Sequence, residues 1–309
     1  GTWHRAGDVF GDATEDTNLL MKGSVDVELA RTLWRYLREG GPANARNFYR
    51  FIGAQFFGLD DVPEPPRPLP AVAVFHPAHD FGELAHWQAD WEDGAPCVPV
   101  LFYRAHLQAG NTAAFAALCA ALQARGMNPL PLAVTSLKDP QCIDSLRALA
   151  IEQGAALILN TTAFSRAALD EPGDHALAGD VPVLQLVLSG GNEALWRADP
   201  HGLAPRDIAM HIAMPEVDGR IITRAISFKG LGHRCAHTQC DVVHYQAHAE
   251  RLTDDFGGAE LAGFTEDLVQ TMIEDGRLPI LPKTGLRQKV LINLEALRLQ
   301  CQASALVSR

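Results

Sequence analysis

The feature that most constrains this chain is an alternation of short apolar runs with helical signals between residues 71 and 226. Asn111 or Thr112 caps one helical stretch, and Asp139 followed by Pro140 begins another. The apolar runs have the length and composition of buried strands and lie at 71–75, 98–103, 130–134, 155–159, 181–188 and 221–226. This βαβα order predicts an α/β fold, with a parallel sheet of the Rossmann-like or flavodoxin-like type covered by helices on both faces.

Different patterns flank the alternating region. Apolar residues at helical spacing predict helices at 24–39 and 42–58, and five prolines at 59–70 predict a stiff linker after them. Beyond the sheet, helical patterns recur at 261–275 and 286–306. The predicted divisions are an N-terminal helical segment at 1–68, an α/β domain at 69–230, and a Cys/His-rich loop with C-terminal helices at 231–309.

Charge and cysteine usage argue against several classes of protein. The 309 residues carry a net charge of -11, and phosphate binding needs an excess of Lys and Arg, so a general nucleic-acid surface is disfavoured. No apolar run approaches the roughly 20 residues that span a bilayer. Six scattered cysteines do not form a disulfide framework, so we expect a reducing, cytoplasmic setting.

Polar residues follow the predicted strands at the edge where parallel sheets bind ligands. We expect these groups to converge on one pocket that suits a flat ligand with peripheral carboxylates or amides. The alternative is that about half of them are ordinary turn and cap residues. The predicted ligand-binding residues are Arg104, His106, Lys138, Asn160, Thr161, Ser189, Gly190, Gly191 and Asn192.

The segment after the fifth run combines a helix with an acidic turn. Pro205 begins a predicted helix that we expect to end before Pro215. Asp207 and His211 share one face of this helix at i, i+4. The PEVDG sequence at 215–219 then predicts an acidic turn, which places the carboxylate of Glu216 at the rim of the strand-end pocket.

A run of cysteine and histidine at 232–248 is the main candidate for a resident metal site. The predicted ligands, suited to zinc, cobalt or iron, are His233, Cys235, His237 and Cys240. Their H-x-C-x-H-x-x-C spacing matches no familiar closed site, so a His-rich surface loop is the alternative. His244 and His248 could share a helical face. A second, looser cluster comprises His76, His79, Asp80, Glu83 and His86.

Several linked segments resemble one family. They are FYRAHLQAGN at 102–111, SLKDP at 136–140, NTTAFS at 160–165, and a GL-P-DIAM…PEVDG segment ending at residue 219. In this order they are similar to the large subunit of aerobic cobaltochelatase, the CobN-type relative of the magnesium chelatase H subunit. The resemblance covers roughly residues 42–229. The family's chains are far longer, so we expect a piece of such a subunit or a shortened relative.

The resemblance implies ATP-dependent insertion of Co²⁺ into hydrogenobyrinic acid a,c-diamide during aerobic cobalamin biosynthesis. The large subunit holds ring and metal, while AAA+-type partner subunits hydrolyse ATP with Mg²⁺. This chain has no G-x-x-x-x-G-K-[ST] phosphate loop, which agrees with that division of labour. The alternative is a non-catalytic tetrapyrrole-binding or metallochaperone module related to the magnesium chelatase H subunit.

Metal insertion requires a base for the pyrrole N–H protons and a group that helps the hydrated cation to exchange its water. A carboxylate or an imidazole near the ring centre can serve both needs. Glu216 and His211 are therefore the predicted catalytic residues. A bound Zn²⁺ at the Cys/His run would be a separate, structural or delivery site.

Overall fold

The computed structural model describes residues 18, 21–79, 81–166, 177–179, 181–198, 202–234, 236, 239 and 241–247. The helices predicted at 261–275 and 286–306 lie outside these residues. Within the described part of the chain, no helix has the length and hydropathy needed to cross a bilayer.

In the described part of the chain, seven strands form one sheet. They are β1 (Val72–Val74), β2 (Cys97–Tyr103), β3 (Asn128–Val134), β4 (Ile158–Asn160), β5 (Val183–Ser189), β6 (Ile221–Arg234) and β7 (Asp241–Tyr245). Their order across the sheet is β1-β3-β2-β4-β5-β6-β7. The edge strands β1 and β7 are antiparallel to their neighbours, and the five strands between them are parallel.

The parallel strands confirm the predicted α/β fold. Numbered along the chain, β2 to β6 have the flavodoxin-like order 2-1-3-4-5. The order reverses between β2 and β4, and ligands of such sheets bind outside the carboxyl ends of the strands at this reversal. The strand ends that the sequence identified therefore lie along one edge of one sheet.

Helices cover both faces of the sheet. They are α1 (Val27–Glu39), α2 (Gly41–Phe57), α3 (Leu84–Gln88), α4 (Arg104–Gln108), α5 (Ala113–Gln123), α6 (Pro140–Glu152), α7 (Glu193–Ala198), α8 (Pro205–Ile208) and α9 (Met214–Val217). On one face α5 packs its apolar side on the strands, and the rings of Phe102 and Phe115 stack with 4.0 Å between centroids. On the other face α6 buries Ile143 and Leu146. Each such fully buried side chain stabilises the fold by about 1.5–3 kcal/mol.

The N-terminal helices are attached to the sheet domain by specific hydrogen bonds. Asp26 caps α1 by accepting from the backbone N–H groups of its first turn. The proline-rich stretch is bound along these helices, because Asn44 both donates to the Arg67 carbonyl and accepts from the Arg67 N–H. Gln108 of α4 donates to the Arg38 carbonyl at 2.8 Å. The predicted linker is thus packed against α1 and α2 rather than extended freely.

The prediction that the helix beginning at Pro205 ends before Pro215 is wrong. The helix continues through a π-helical segment, Ala209–Ala213, into α9, which contains Pro215. A proline in a regular helix removes an N–H and its ring clashes with the carbonyl four residues earlier. Here the N–H of Met214 bonds to the Ala209 carbonyl five residues back, so the wider π turn precedes the proline. Glu216 therefore lies on a short helix, and the turn follows it at Gly219.

The strand predicted at 221–226 is too short. It continues to Arg234 and forms an antiparallel hairpin with β7, in which Arg234 is opposite Asp241. The predicted domain boundary after residue 230 therefore falls within a strand. His244 lies in β7, so it does not share a helical face with His248, which is outside the described residues.

Candidate functional site

A sealed polar network lies beside the carboxyl end of β4. Gln185 is fully buried, and its Oε1 accepts from Asn160 Nδ2 at 2.7 Å and from Arg220 Nη1 at 3.1 Å. Arg220 also pairs with the buried carboxylate of Asp218, which accepts from the Arg166 N–H at 2.7 Å. Apart from Arg220 Nε, which lacks a partner among the described residues, these groups satisfy one another.

The same sealed network contains two of the predicted ligand-binding residues. Asn160 is fully buried, and its amide oxygen also accepts from the Thr162 hydroxyl at 2.9 Å. The buried hydroxyl of Thr161 donates to the Leu101 carbonyl at 2.7 Å. Their side-chain hydrogen bonds are therefore made within the protein, where they join β4 to its neighbours.

An open cluster of polar residues lies at the carboxyl edge of the sheet, around His106 of α4. The His106 ring packs on Phe115 and on Tyr245 of β7, with centroids 5.3 and 5.4 Å away. Lys229 of β6 is exposed, and its ammonium lies 5.3 Å from the centroid of the Tyr245 ring. Burial, with smaller contributions from the nearby Lys229 and His211, lowers the pKa of His106 to about 4.

His211 joins this open cluster from the π-helical segment. Such segments are rare and occur often at functional sites. The Nδ1 atom of His211 is buried and has no hydrogen-bond partner among the described residues. Burial lowers the pKa of His211, and the carboxylate of Asp207 partly opposes that shift. Two neutral imidazoles, one with an unpaired buried nitrogen, therefore lie close together, and His211 lowers the pKa of His106.

Asp207 attaches the π-helical segment to the end of β5. Its buried carboxylate accepts from the Ser189 hydroxyl at 2.7 Å and from the Gly190 N–H at 3.0 Å. A Cβ at Gly190 would be 3.3 Å from the other oxygen of Asp207, a tight contact that favours glycine at this position. Asp207 also affects Tyr245. Burial is the larger cause and the Asp207 carboxylate the smaller one, and together they raise the pKa of Tyr245 to about 12.

The remaining predicted residues have varied surroundings. Arg104 is half-buried and donates to the Leu69 carbonyl at 3.2 Å, and Lys138 is exposed. Asn192 accepts from the Ala194 N–H at 2.9 Å at the start of α7. Glu216 is exposed on α9, next to the π-helical segment that carries His211. Roles in ligand binding or catalysis remain predictions for these residues.

The predicted metal ligands fall largely outside the described structure. The backbone of His233 belongs to β6, while Cys235, His237 and Cys240 lie outside the described residues. Within the part of the chain that is described, no three His, Cys, Asp or Glu side chains are arranged to hold a metal ion. The zinc prediction for the Cys/His run therefore stays a prediction.

Sequence reasoning missed two members of the open cluster. Lys229 follows an apolar strand directly, so a charged residue at a strand end was an available signal. Tyr245 offered no local signal. It reaches the cluster because β7 pairs with β6 and because its N–H donates to Asn111 Oδ1 at 3.0 Å, across 134 residues of sequence.

The open cluster can perform three chemical tasks. A neutral imidazole can accept a proton or ligate a metal ion through its free lone pair. An exposed lysine can pair with a carboxylate, and the flat ring of Tyr245 offers an apolar surface. This combination suits a flat, carboxylate-bearing ligand whose centre exchanges protons.

Comparisons with known proteins agree on one family. A family model described as CobN/Magnesium Chelatase matches residues 34–257. The chain is 48% identical over 254 residues to the aerobic cobaltochelatase subunit CobN of Pseudomonas aeruginosa, and 34% identical over 249 residues to that of a Sinorhizobium species. These alignments cover 82% and 76% of this chain but 20% and 19% of the relatives.

A solved structure gives the same result. The catalytic subunit of cobaltochelatase from Mycobacterium tuberculosis superposes with a TM-score of 0.62 at 28% sequence identity, covering 79% of this chain and 20% of that one. The chain thus spans about a fifth of the length of the relatives that it matches.

Proposed function

Because the chain belongs to the CobN/magnesium chelatase family, we propose that it is the tetrapyrrole- and metal-handling part of an ATP-dependent cobaltochelatase, a ligase that forms nitrogen–metal bonds. The metal substrate is Co²⁺ and the ring substrate is hydrogenobyrinic acid a,c-diamide. AAA+-type partner subunits hydrolyse ATP with Mg²⁺. The observation that carries the proposal is the open cluster, in which neutral His106 and His211 lie beside Lys229 at the ligand-binding edge of the sheet.

The chemistry exchanges a proton for a metal ion. A corrin binds a metal ion as a monoanion, so one ring N–H proton leaves for a base as Co²⁺ enters, and the metal centre keeps one positive charge. Glu216 and His211 are the acceptors for this proton in the proposal, because a carboxylate and a neutral imidazole both have lone pairs available near neutral pH. Water released by the cation is replaced by the ring nitrogens.

Some residues contact the ligand directly in the proposal, and others hold those residues in position. Lys229 pairs with a peripheral carboxylate, while His106 and Tyr245 border the ring. Ser189 and Gly190 act through Asp207, which positions the helix of His211. The half-buried Gly191 and the exposed Asn192 lie next to this support and contact the edge of the ligand in the proposal.

The test compares two glutamates in the subunit reconstituted with its ATPase partners. Glu216→Gln should retain tetrapyrrole binding and lower the rate of cobalt insertion by about 10²–10⁴-fold, the usual contribution of a positioned base. Glu152→Gln is the matched control. Glu152 is also exposed, and it lies at the end of α6, which leads into the amino end of β4 at the edge of the sheet opposite the open cluster. Normal insertion by the Glu216 variant would remove that residue from the mechanism.

Spectral titration separates the proposal from a non-catalytic tetrapyrrole-binding or metallochaperone role. The chelatase account expects binding of the corrin precursor in preference to a porphyrin, and insertion only with partners and ATP. Binding without insertion in the reconstituted complex would favour the non-catalytic module.

The Cys/His run supports a separate metal proposal. His233, Cys235, His237 and Cys240 hold one Zn²⁺ or Co²⁺ in this proposal, because thiolate and imidazole are the ligands that these ions prefer. Metal analysis of protein purified without an affinity tag should find near-stoichiometric metal, and the Cys235→Ser, Cys240→Ser double variant should lose it.

A further inference from the structure

A second polar cluster lies away from the open cluster, beside a cavity on the α5 side of the sheet. The rings of His79 and His86 stack with 3.8 Å between centroids, and His76 lies 4.8 Å from His79 and 4.8 Å from the ring of buried Trp87. The cavity has a volume of about 430 Å³, within the range of small-molecule sites. His76 and His79 form part of its lining.

Backbone hydrogen bonds determine the tautomers of two of these imidazoles. The Nδ1 atom of His76 accepts from the Ala78 N–H at 3.1 Å, and that of His86 accepts from the Glu83 N–H at 3.1 Å. An accepting nitrogen carries no hydrogen, so in the neutral ring the hydrogen lies on Nε2. Burial lowers the pKa of His76, and His79 and His86 lower it further while Asp90 opposes them, which agrees with a neutral ring.

This arrangement favours an anion over a metal ion. An Nε2 that carries a hydrogen has no lone pair to donate, so His76 and His86 cannot ligate a cation without losing their backbone bonds. No acceptor for the Nε2–H of His76 is found among the described residues, which leaves that donor available to a ligand.

The rest of the lining fits a small organic acid. Phe75, Leu107 and Pro42 supply apolar wall, and Thr112 adds a hydroxyl that makes no cap bond to its own helix. None of the described lining residues is acidic, although the chain as a whole carries a net charge of -11. Asp90 acts on His76 but is not among those lining residues, so a carboxylate would meet hydrogen-bond donors in the described wall of the cavity.

The α4–α5 connection separates this cavity from the open cluster. Leu107, Gly110 and Thr112 line the cavity, while their neighbours His106 and Asn111 contact Tyr245 on the other side. Gly110 has a φ of 68°, a left-handed conformation that glycine adopts without strain, and it allows the chain to turn there.

From this geometry we infer that the cavity beside His76 is a second ligand site, which binds a carboxylate carried on an apolar body through the Nε2–H of His76 and the hydroxyl of Thr112. The carboxylate is either a peripheral arm of a tetrapyrrole or a separate small acid. The site does not depend on the proposed chelatase function.

The probe is 2-naphthoate, with the neutral 2-naphthamide as its matched comparison, titrated into the protein by calorimetry. Naphthoate should bind at least fivefold more tightly, since hydrogen bonds to a charged acceptor are about twice as strong as neutral ones. His76→Phe retains a ring and loses the N–H, and should weaken naphthoate binding about tenfold. Thr112→Val should weaken it to a smaller extent.

His86→Phe is the control, because His86 stacks on His79 but is not part of the cavity lining. It should leave naphthoate affinity within twofold of the parent. Equal affinities for naphthoate and naphthamide, or an unaltered affinity in His76→Phe, would overturn the inference.

Nuclear magnetic resonance of ¹⁵N-labelled histidine rings checks the inference without a mutation. The parent protein should show His76 protonated at Nε2, and naphthoate should shift that nitrogen. Addition of Zn²⁺ should leave the His76 resonances in place, and a Zn²⁺-bound Nε2 would refute the anion assignment.

Competition then identifies the source of the carboxylate. If the corrin precursor displaces naphthoate, the cavity binds a carboxylate arm of the tetrapyrrole. If both ligands bind together, the cavity binds a separate small acid. If the corrin precursor does not bind at all, the proposed function fails while the naphthoate result still stands.

Discussion

Two polar regions beside the sheet differ in how their hydrogen bonds are used. In the sealed network, Asn160, Gln185, Arg220 and Asp218 bond to one another with almost no group left over. In the open cluster, His106 and His211 are held neutral and Lys229 is exposed. The first arrangement suits stability, and the second leaves groups available to a ligand.

The difference shows why residue type alone does not identify a binding residue. An amide, hydroxyl or guanidinium at a strand end has the same ligand-binding capacity in both regions. Its partners decide whether that capacity is used within the protein or remains available, and the partners come from distant parts of the chain. Substitutions in the two regions should therefore affect different properties.

The largest loss of stability should follow from Asp218→Asn. The change leaves Arg220 buried without its counter-ion, and breaking a buried pair on one side costs about 3–5 kcal/mol. Urea unfolding monitored by circular dichroism gives the free energy of unfolding. Stability within 1 kcal/mol of the parent would show that the network is not sealed.

A smaller loss should follow from Gln185→Leu. The apolar side chain leaves the amide of Asn160 and one nitrogen of Arg220 without their acceptor, at a cost of about 1–3 kcal/mol. A double-mutant cycle with Asn160→Leu measures their coupling under the same unfolding conditions. Purely additive effects would contradict a direct hydrogen bond between them.

The open cluster should instead make stability depend on pH. His106 has a pKa of about 4 when folded and 6.5 in its ordinary state, so between these values the unfolded chain binds a proton that the folded chain does not. The free energy of unfolding that depends on a neutral His106 is therefore fully present above pH 6.5. It is lost as the pH falls towards 4, at up to about 1.4 kcal/mol per pH unit.

His106→Phe tests that dependence, because phenylalanine preserves the packing on Phe115 and Tyr245 and cannot titrate. Unfolding curves at intervals from pH 7 to pH 4 should show a shallower loss of stability in the variant. Parallel curves for variant and parent would place His106 outside the buried environment described above.

The sequence predicted most of the sheet, because buried parallel strands are short apolar runs that local composition reveals. The second half of β6 and all of β7 were missed because the Gly- and His-rich segment after residue 230 has no apolar alternation. The π-helical segment was missed because proline normally ends a helix, and the wider turn that accommodates Pro215 has no known sequence signal.

The candidate site was partly predictable for the same reasons. His106 was recognised as a polar group at a predicted strand end and His211 as one on the helix that begins at Pro205, and the structure places them close together. Their approach to Lys229 and Tyr245 depends on the β6–β7 hairpin and on the bond from Tyr245 to Asn111, which only the folded chain brings together. Burial of Asn160 and Thr161 depends equally on distant partners.

The most direct test measures which of the two polar regions contacts the tetrapyrrole. Corrin precursor is titrated by absorbance into the parent protein, Lys229→Met and Thr161→Val, one variant from each region. The account predicts about tenfold weaker binding for Lys229→Met, through the loss of one charge-assisted contact, and an affinity within twofold of the parent for Thr161→Val. Weakened binding in Thr161→Val with no change in Lys229→Met would contradict it.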